Sequence, residues 1–362
     1  MKIAQIAPLY EAVPPRLYGG TERVVSNLTE ELVRQGHDVT LFASEDSFTS
    51  AELVPCISRA IRLDPEVRDP VPHMMVMLDK VQERAAEFDI LHFHIDYFQF
   101  PMFRRSTVPI LTTLHGRQDL SDHLPLYSRF PGIPLVSISH AQRLPLPGAN
   151  FAGTVYHGLP LDVLNPSASQ GGGYLAFLGR MSPEKRPDRA IEIARRSGMK
   201  LKLAAKVDEA DAAYFQSVVA PLIDGYQIEF IGEINESNKC DFLGRAAGLL
   251  FPIDWPEPFG LVMIEAMACA TPVLAFRCGS VPEIIDHGVT GLIVGSVDEA
   301  VLAVPQLLAI DRAKVRAHFE QRFSAEQMAR EYVAIYERLC RRIPSPVLVE
   351  EPGLGPETNL LE

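Results

Sequence analysis

Short β-branched and apolar runs alternate along this chain with longer stretches of helical period. In the first half, Lys2–Ala7, Asp38–Phe42, Asp89–His94, Ile110–Leu114 and Leu135–Ile138 read as strands. The rhythm restarts with Tyr174–Leu178, Leu201–Ala205, Ile228–Ile231, Leu249–Phe251 and Val273–Ala275, separated by helices near 187–197, 208–223, 237–247 and 260–269. Such alternation predicts an α/β protein of two parallel, doubly wound sheets, with ligands bound in a cleft outside the carboxyl ends of the strands. Leu164 to Gly173 has linker composition, so the expected division is 1–165 and 166–323. A helix over 324–341 follows, with Met328, Tyr332, Ile335, Tyr336 and Leu339 forming a packing face. The Pro- and Glu-rich remainder, 342–362, reads as a disordered tail.

A chain of 362 residues suits two domains, each large enough for its own core. Its net charge of −12 argues against nucleic acid or an anionic membrane as the main partner, so a phosphorylated ligand needs a local cationic pocket. The five cysteines show neither CxxC nor zinc spacing, which implies reduced thiols and a cytoplasmic setting. The opening MKIAQIAPLY is too short in apolar residues for a signal peptide, and no run is long enough for stable membrane insertion.

The densest chemistry lies in Glu257-Pro258-Phe259-Gly260-Leu261-Val262-Met263-Ile264-Glu265. Pro258 and Gly260 predict a helix start, where unpaired backbone N–H groups favour anions. Two carboxylates eight apart on one helix would sit about 12 Å apart and roughly 80° around the axis. Paired hydrolytic carboxylates sit roughly 5 to 9.5 Å apart, so two separate ligand contacts fit better than a glycosidase dyad. Gly179-Arg180-Met181-Ser182-Pro183-Glu184-Lys185-Arg186 follows a strand and precedes a helix, so three cations gather at a strand end. Arg180 and Lys185 can there neutralise a diphosphate, the plain alternative being an exposed basic turn.

In the first half, Tyr18-Gly19-Gly20-Thr21 leads into a helix over Glu22–Gln35, and two glycines allow close backbone approach to a ligand. This is not the GxGxxG of dinucleotide-binding oxidoreductases. His92, His94 and Asp96 resemble a metal trio on one strand face, but a strand ending near His94 would throw Asp96 off that face. A polar cleft wall or a satisfied core histidine is the stronger reading, and no metal is expected. His115 ends another strand beside Gly116.

EPFGLVMIEAMACATPV, with FPIDW before it and CGSVPEIIDHGVTGLIV after, resembles the family-4 retaining glycosyltransferases of the GT-B fold. So do YGGTERVVSNLTEELVRQGHDVTLFAS, LTTLHG, SISHA and FLGRMSPEKRPDRAIEIA, which carry the likeness over most of the chain. The resemblance implies two Rossmann-like domains, with the 324–341 helix crossing back onto the first. It also implies a nucleotide-diphosphate sugar donor, most simply a UDP-sugar, transferred with retention to a hydroxyl acceptor, with no cofactor. Arg180 and Lys185 then occupy the pyrophosphate-binding positions. Glu257, Phe259, Gly260 and Leu261 face the sugar and Glu265 the ribose; Gly19 and Gly20 lie over the donor phosphate. His115 stands beside the transferred sugar, with His94 and Asp96 on the acceptor side. Three departures stand out: Arg186 replaces the usual glycine after the lysine, His157-Gly158 stands where an Asn-Gly pair is usual, and Ala270 stands where a glycine often follows the cysteine. The rival functions are an epimerase of nucleotide sugars on the same architecture and a non-catalytic nucleotide-sugar sensor. A third is a transferase acting on lipid acceptors, for which Arg104-Arg105 near Phe98, Phe100 and Phe103 is the best support.

Overall fold

The computed structural model describes residues 1–16, 19–164, 166 and 172–342. Tyr18, most of the expected linker and the Pro-rich tail lie outside the described residues. Two parallel sheets form. The first contains β1 (Lys2–Ile6), β2 (Asp38–Ser44), β3 (Glu52–Ile57), β4 (Ile90–Phe93), β5 (Ile110–Thr113), β6 (Leu135–Ser137) and β7 (Phe151–Thr154), in the order 3-2-1-4-5-6-7. The second contains β8 (Tyr174–Arg180), β9 (Lys200–Lys206), β10 (Ile228–Gly232), β11 (Gly248–Phe251), β12 (Val273–Phe276) and β13 (Gly291–Val294), in the order 10-9-8-11-12-13. Each sheet reverses direction beside its first strand, between β1 and β4 and between β8 and β11. That reversal opens a crevice at the strand ends, and the two crevices face each other.

The strands absent from the pattern reading are β3, β7 and β13, all at sheet edges. Edge strands are short and tolerate residues that central strands exclude. β3 carries Pro55, and β13 begins at Gly291, where an added Cβ would lie 2.0 Å from the Val273 carbonyl. The expected helix over 208–223 is broken. Glu209–Asp211 and Ala220–Leu222 are 3₁₀ turns, and a π turn spans Phe215–Val219 between them. Pro221 lacks the N–H that an α-helix would direct at residue 217, so the winding changes around it.

The helix Ala325–Arg342 leaves the second half and lies on the first sheet. Its Met328, Tyr332, Ile335, Tyr336 and Leu339 join Ile3, Val24, Leu28, Ile90 and Val136 in one buried cluster. The crossing point is built from backbone: Leu159 N–H donates to Phe323 C=O at 2.9 Å, and Ala325 N–H to Leu159 C=O at 2.9 Å. Gly158 allows this, since a Cβ there would sit 2.3 Å from the Ser324 carbonyl oxygen. Gly158→Ala is therefore expected to destabilise the chain by about 1–3 kcal/mol through forced backbone displacement. Urea titration checks this: a lower midpoint at unchanged slope is the expected result, and an unchanged midpoint refutes it.

Candidate active site

The facing crevices merge into one cleft of about 800 Å³, lined from both halves by Gly20, His115, Arg180, Lys185, Phe259 and Glu265 among others. Arg180 is the last residue of β8, and a turn brings Lys185 back before the helix Pro187–Arg196 starts. The helix Leu261–Ala268 begins after Gly260, whose φ of 80° is the left-handed conformation that glycine adopts at no steric cost. Glu257 precedes that helix and Glu265 lies on it, both buried. Across the cleft, the first-half helix Gly20–Arg34 brings its own start close to this one, because a Cβ on Gly20 would lie 3.5 Å from Leu261 Cδ1.

Among the described residues, each cation that lines the cleft has a carboxylate partner. Lys185 Nζ donates to Glu257 Oε2, which also accepts from Trp255 Nε1 at 2.9 Å. The ammonium lies 5.0 Å from the Trp255 ring centroid, so an aromatic face adds to its neutralisation. Arg180 lies 3.6 Å from Glu184 and 4.0 Å from Asp211. Arg186, the departure from the family pattern, has a left-handed φ of 53° and donates to Asp188 and Asp254, so its charge is spent on those carboxylates. Glu257 is thus a partner of Lys185 and Trp255 and at the same time lines the cleft.

Several residues escaped the motif reading. Lys239, on the helix Glu236–Gly244, donates to Glu265 at 2.7 Å and lies 3.0 Å from Glu236. Glu236 is in turn 3.3 Å from Arg23 of the first half, so an ionic chain spans the cleft. Arg117 bridges likewise, 3.3 Å from Glu184 and 5.5 Å from the Trp255 ring centroid. Apart from Glu236 and Lys239, which are three apart on one helix, nothing in local sequence marks these pairs, which are made by tertiary approach. Glu22, buried beside Gly19, has its carboxyl pushed up to about 7 by burial.

Three histidines stand in a row along the first-half wall. His94 lies just past β4; its ring nitrogens are 2.7 Å from Gln5 Oε1 and 2.9 Å from His115 Nε2. Both nitrogens are engaged inside the protein, while the residue itself lines the cleft. Asp96 has a left-handed φ of 55°, which turns it off the strand direction, and burial pushes its carboxyl upward. His115 stacks on His157 at 5.3 Å between centroids, and His157 meets Phe259 edge-on at 4.8 Å. The Nδ1 atoms of both His115 and His157 are shielded from solvent and lack a partner among the described residues. Burial pushes His115 down to about 3 and His157 well below its usual value, so both rings are neutral. His157 had a sequence signal, since its strand–His–Gly setting repeats that of His115-Gly116. His92 faces away into the core, and among the described residues no cluster of ligating side chains can hold a metal ion.

Comparison with known proteins follows the same division. Residues 166–323 match the family model for glycosyl transferases group 1, and residues 18–146 that for glycosyltransferase family 4. D-inositol 3-phosphate glycosyltransferase of Mycobacterium leprae is 30% identical over 207 residues, covering 53% of this chain and 46% of that protein. This chain therefore spans under half the length of that relative. N-acetyl-alpha-D-glucosaminyl L-malate synthase of Bacillus anthracis is 24% identical over 371 residues, 89% of this chain and 95% of that protein. Among solved structures, AviGT4, a glycosyltransferase involved in avilamycin A biosynthesis, superposes with a TM-score of 0.74 at 24% identity, covering 94% of this chain and 98% of its own. Anabaena HepE in complex with UDP-glucose gives 0.71 at 18% identity, covering 94% and 100%. Two family models that cover most of the chain, and a shared two-sheet fold, lead to one assignment: the chain belongs to the group 1, family 4 glycosyltransferases of the GT-B fold.

Proposed function

We propose that this protein transfers a hexosyl unit from a UDP-sugar to a small hydroxylated acceptor, with retention at the anomeric carbon and without a metal. The observation that carries the reading is the paired placement of Arg180 and Lys185 at one strand-to-helix turn, opposite the start of the Leu261–Ala268 helix. A diphosphate lying between them gains two cations and the unpaired N–H groups of a helix start, which supports a leaving group whose charge grows during reaction. The UDP-sugar class follows the donor bound by HepE, and a small polar acceptor follows the inositol phosphate and malate in the names of the relatives.

Lys185 begins paired with Glu257, so donor binding is an exchange of partners. As the diphosphate draws the ammonium, Glu257 Oε2 is released to accept from a sugar hydroxyl. Glu265, held by Lys239, receives the ribose hydroxyls. The step itself follows the front-face course that the family resemblance implies. The bond from the anomeric carbon to the phosphate oxygen breaks, the acceptor oxygen bonds to that carbon from the same side, and its proton passes to the departing phosphate oxygen. His115, neutral and beside His157, lies on the acceptor-side wall next to the transferred sugar. A lipid acceptor at an anionic membrane has less support, because the overall charge is acidic.

Product analysis with donor alone and with pooled acceptors tests the class: a glycoside formed only with acceptor is expected, and epimerised donor without acceptor would establish the epimerase reading. Arg180→Ala and Lys185→Ala are each expected to cut turnover on the order of a hundredfold or more, about 2.7 kcal/mol. Near-normal steady-state rates in both would remove this site from consideration. Glu265→Ala should weaken UDP in calorimetry, while Glu257→Ala should spare UDP and impair transfer; equal losses would contradict the division of roles. Turnover should persist after exhaustive chelation, and its abolition with rescue by magnesium or manganese would show a metal requirement.

A further inference from the structure

Between the first sheet and the C-terminal helix lies a buried polar cluster of Gln5, His92, His94, Thr113, Tyr332 and Tyr336, each no more than 2% exposed. It meets the cleft at His94, whose Nδ1 lies 2.9 Å from His115 Nε2. The directions of its hydrogen bonds can be worked out link by link. Gln5 Nε2 donates to Tyr336 Oη at 3.2 Å, which turns its amide oxygen towards His94 Nε2 at 2.7 Å. An amide oxygen only accepts, so His94 carries its proton on Nε2. Burial lowers the His94 pKa well below its usual value; the ring is neutral and Nδ1 is bare. A bare Nδ1 only accepts, so the facing His115 Nε2 is the protonated nitrogen. His115 is itself neutral, and its remaining nitrogen, Nδ1, is an acceptor.

The other branch agrees. Having accepted from Gln5, the single phenol proton of Tyr336 goes to His92 Nδ1, 2.7 Å away. His92 then donates from Nε2 to Thr113 Oγ1 at 2.8 Å, and Thr113 to Tyr332 Oη at 2.9 Å. No two protons meet at any link. Reversal would require the Gln5 amide to turn and would leave a shielded N–H on His115 Nδ1 with no acceptor, whereas the first direction leaves the Tyr332 phenol proton without one among the described residues; the placement of the Gln5 amide decides between the two.

We propose that Tyr336 and Gln5 are positioning residues that fix the proton of His115 on Nε2 and leave its Nδ1 bare, an acceptor and never a donor. The phenol that sets this state belongs to the closing helix of the chain, 331 positions from Gln5. The effect on turnover rests on the functional reading above; the protonation site does not.

The test uses the full chain labelled with ¹⁵N-histidine and long-range ¹H–¹⁵N correlation at neutral pH. The unaltered protein should show His115 protonated at Nε2 with a bare Nδ1. Tyr336→Phe keeps the ring packing but frees the Gln5 amide, and Gln5→Met cuts the chain at nearly constant volume. Each should move the His115 signals to a mixture of tautomers and lower kcat by roughly tenfold or more, with UDP affinity within about twofold. Adding Gln5→Glu to Tyr336→Phe should restore the single tautomer, because a carboxylate again only accepts from His94. An Nδ1-protonated His115 in the unaltered protein, or unchanged signals in both single variants, overturns the proposal. If His115→Ala keeps full turnover while the spectra behave as described, the functional reading fails and the positioning inference stands.

Discussion

Everything in the cleft depends on the closing helix being fastened to the first sheet. Tyr332 and Tyr336 are large, fully buried aromatic side chains whose ring area makes the attachment energetically substantial, while their hydroxyls are satisfied inside the same cluster. The backbone pairing of Leu159 with Phe323 and Ala325 fixes where the chain crosses. Because this crossing is made from main-chain bonds, it sets the mutual position of the two halves more rigidly than surface ion pairs could. The register of the first-half histidines against the second-half cations follows from it.

Within that frame the charges are arranged by exchange. Lys185 with Glu257, Arg180 with Glu184, and Lys239 with Glu265 and Glu236 each neutralise a cation beside a carboxylate before any ligand arrives. A buried pair of this kind adds little to stability, since desolvation offsets much of the Coulomb attraction. Its value lies in holding two opposite groups at defined points, ready to accept different partners. An acidic protein can thereby keep a phosphate site without a basic surface.

The centres of both sheets were legible because their strands are apolar runs of parallel-sheet type, bounded by helical period. Edge strands β3 and β7 were not, as half-exposed segments carry no such run, and β13 was missed because its apolar run is only three residues long behind a glycine. In the site, Arg180, Lys185, Glu257 and Glu265 were readable as chemistry, and one cleft gathers them. Their partners were not, because Lys239 lies 26 positions from Glu265 and Lys185 lies 72 from Glu257. Spacing along a chain says nothing of pairs made by folding. His94 shows a further limit: it lines the cleft, but its residue type does not tell that its two nitrogens are engaged by Gln5 and His115.

The ionic chain from Arg23 through Glu236 and Lys239 to Glu265 crosses the mouth of the cleft. Any parting of the two sheets draws Arg23 from Glu236, and Glu236 then competes with Glu265 for the same ammonium. Glu265 would thus be freer with the sheets apart and more firmly held with them together. Mobile ions act on the outer, wetter end of this chain more than on its buried end. Dissolved salt therefore loosens the Arg23–Glu236 contact, the wetter link, before the Lys239–Glu265 contact behind it.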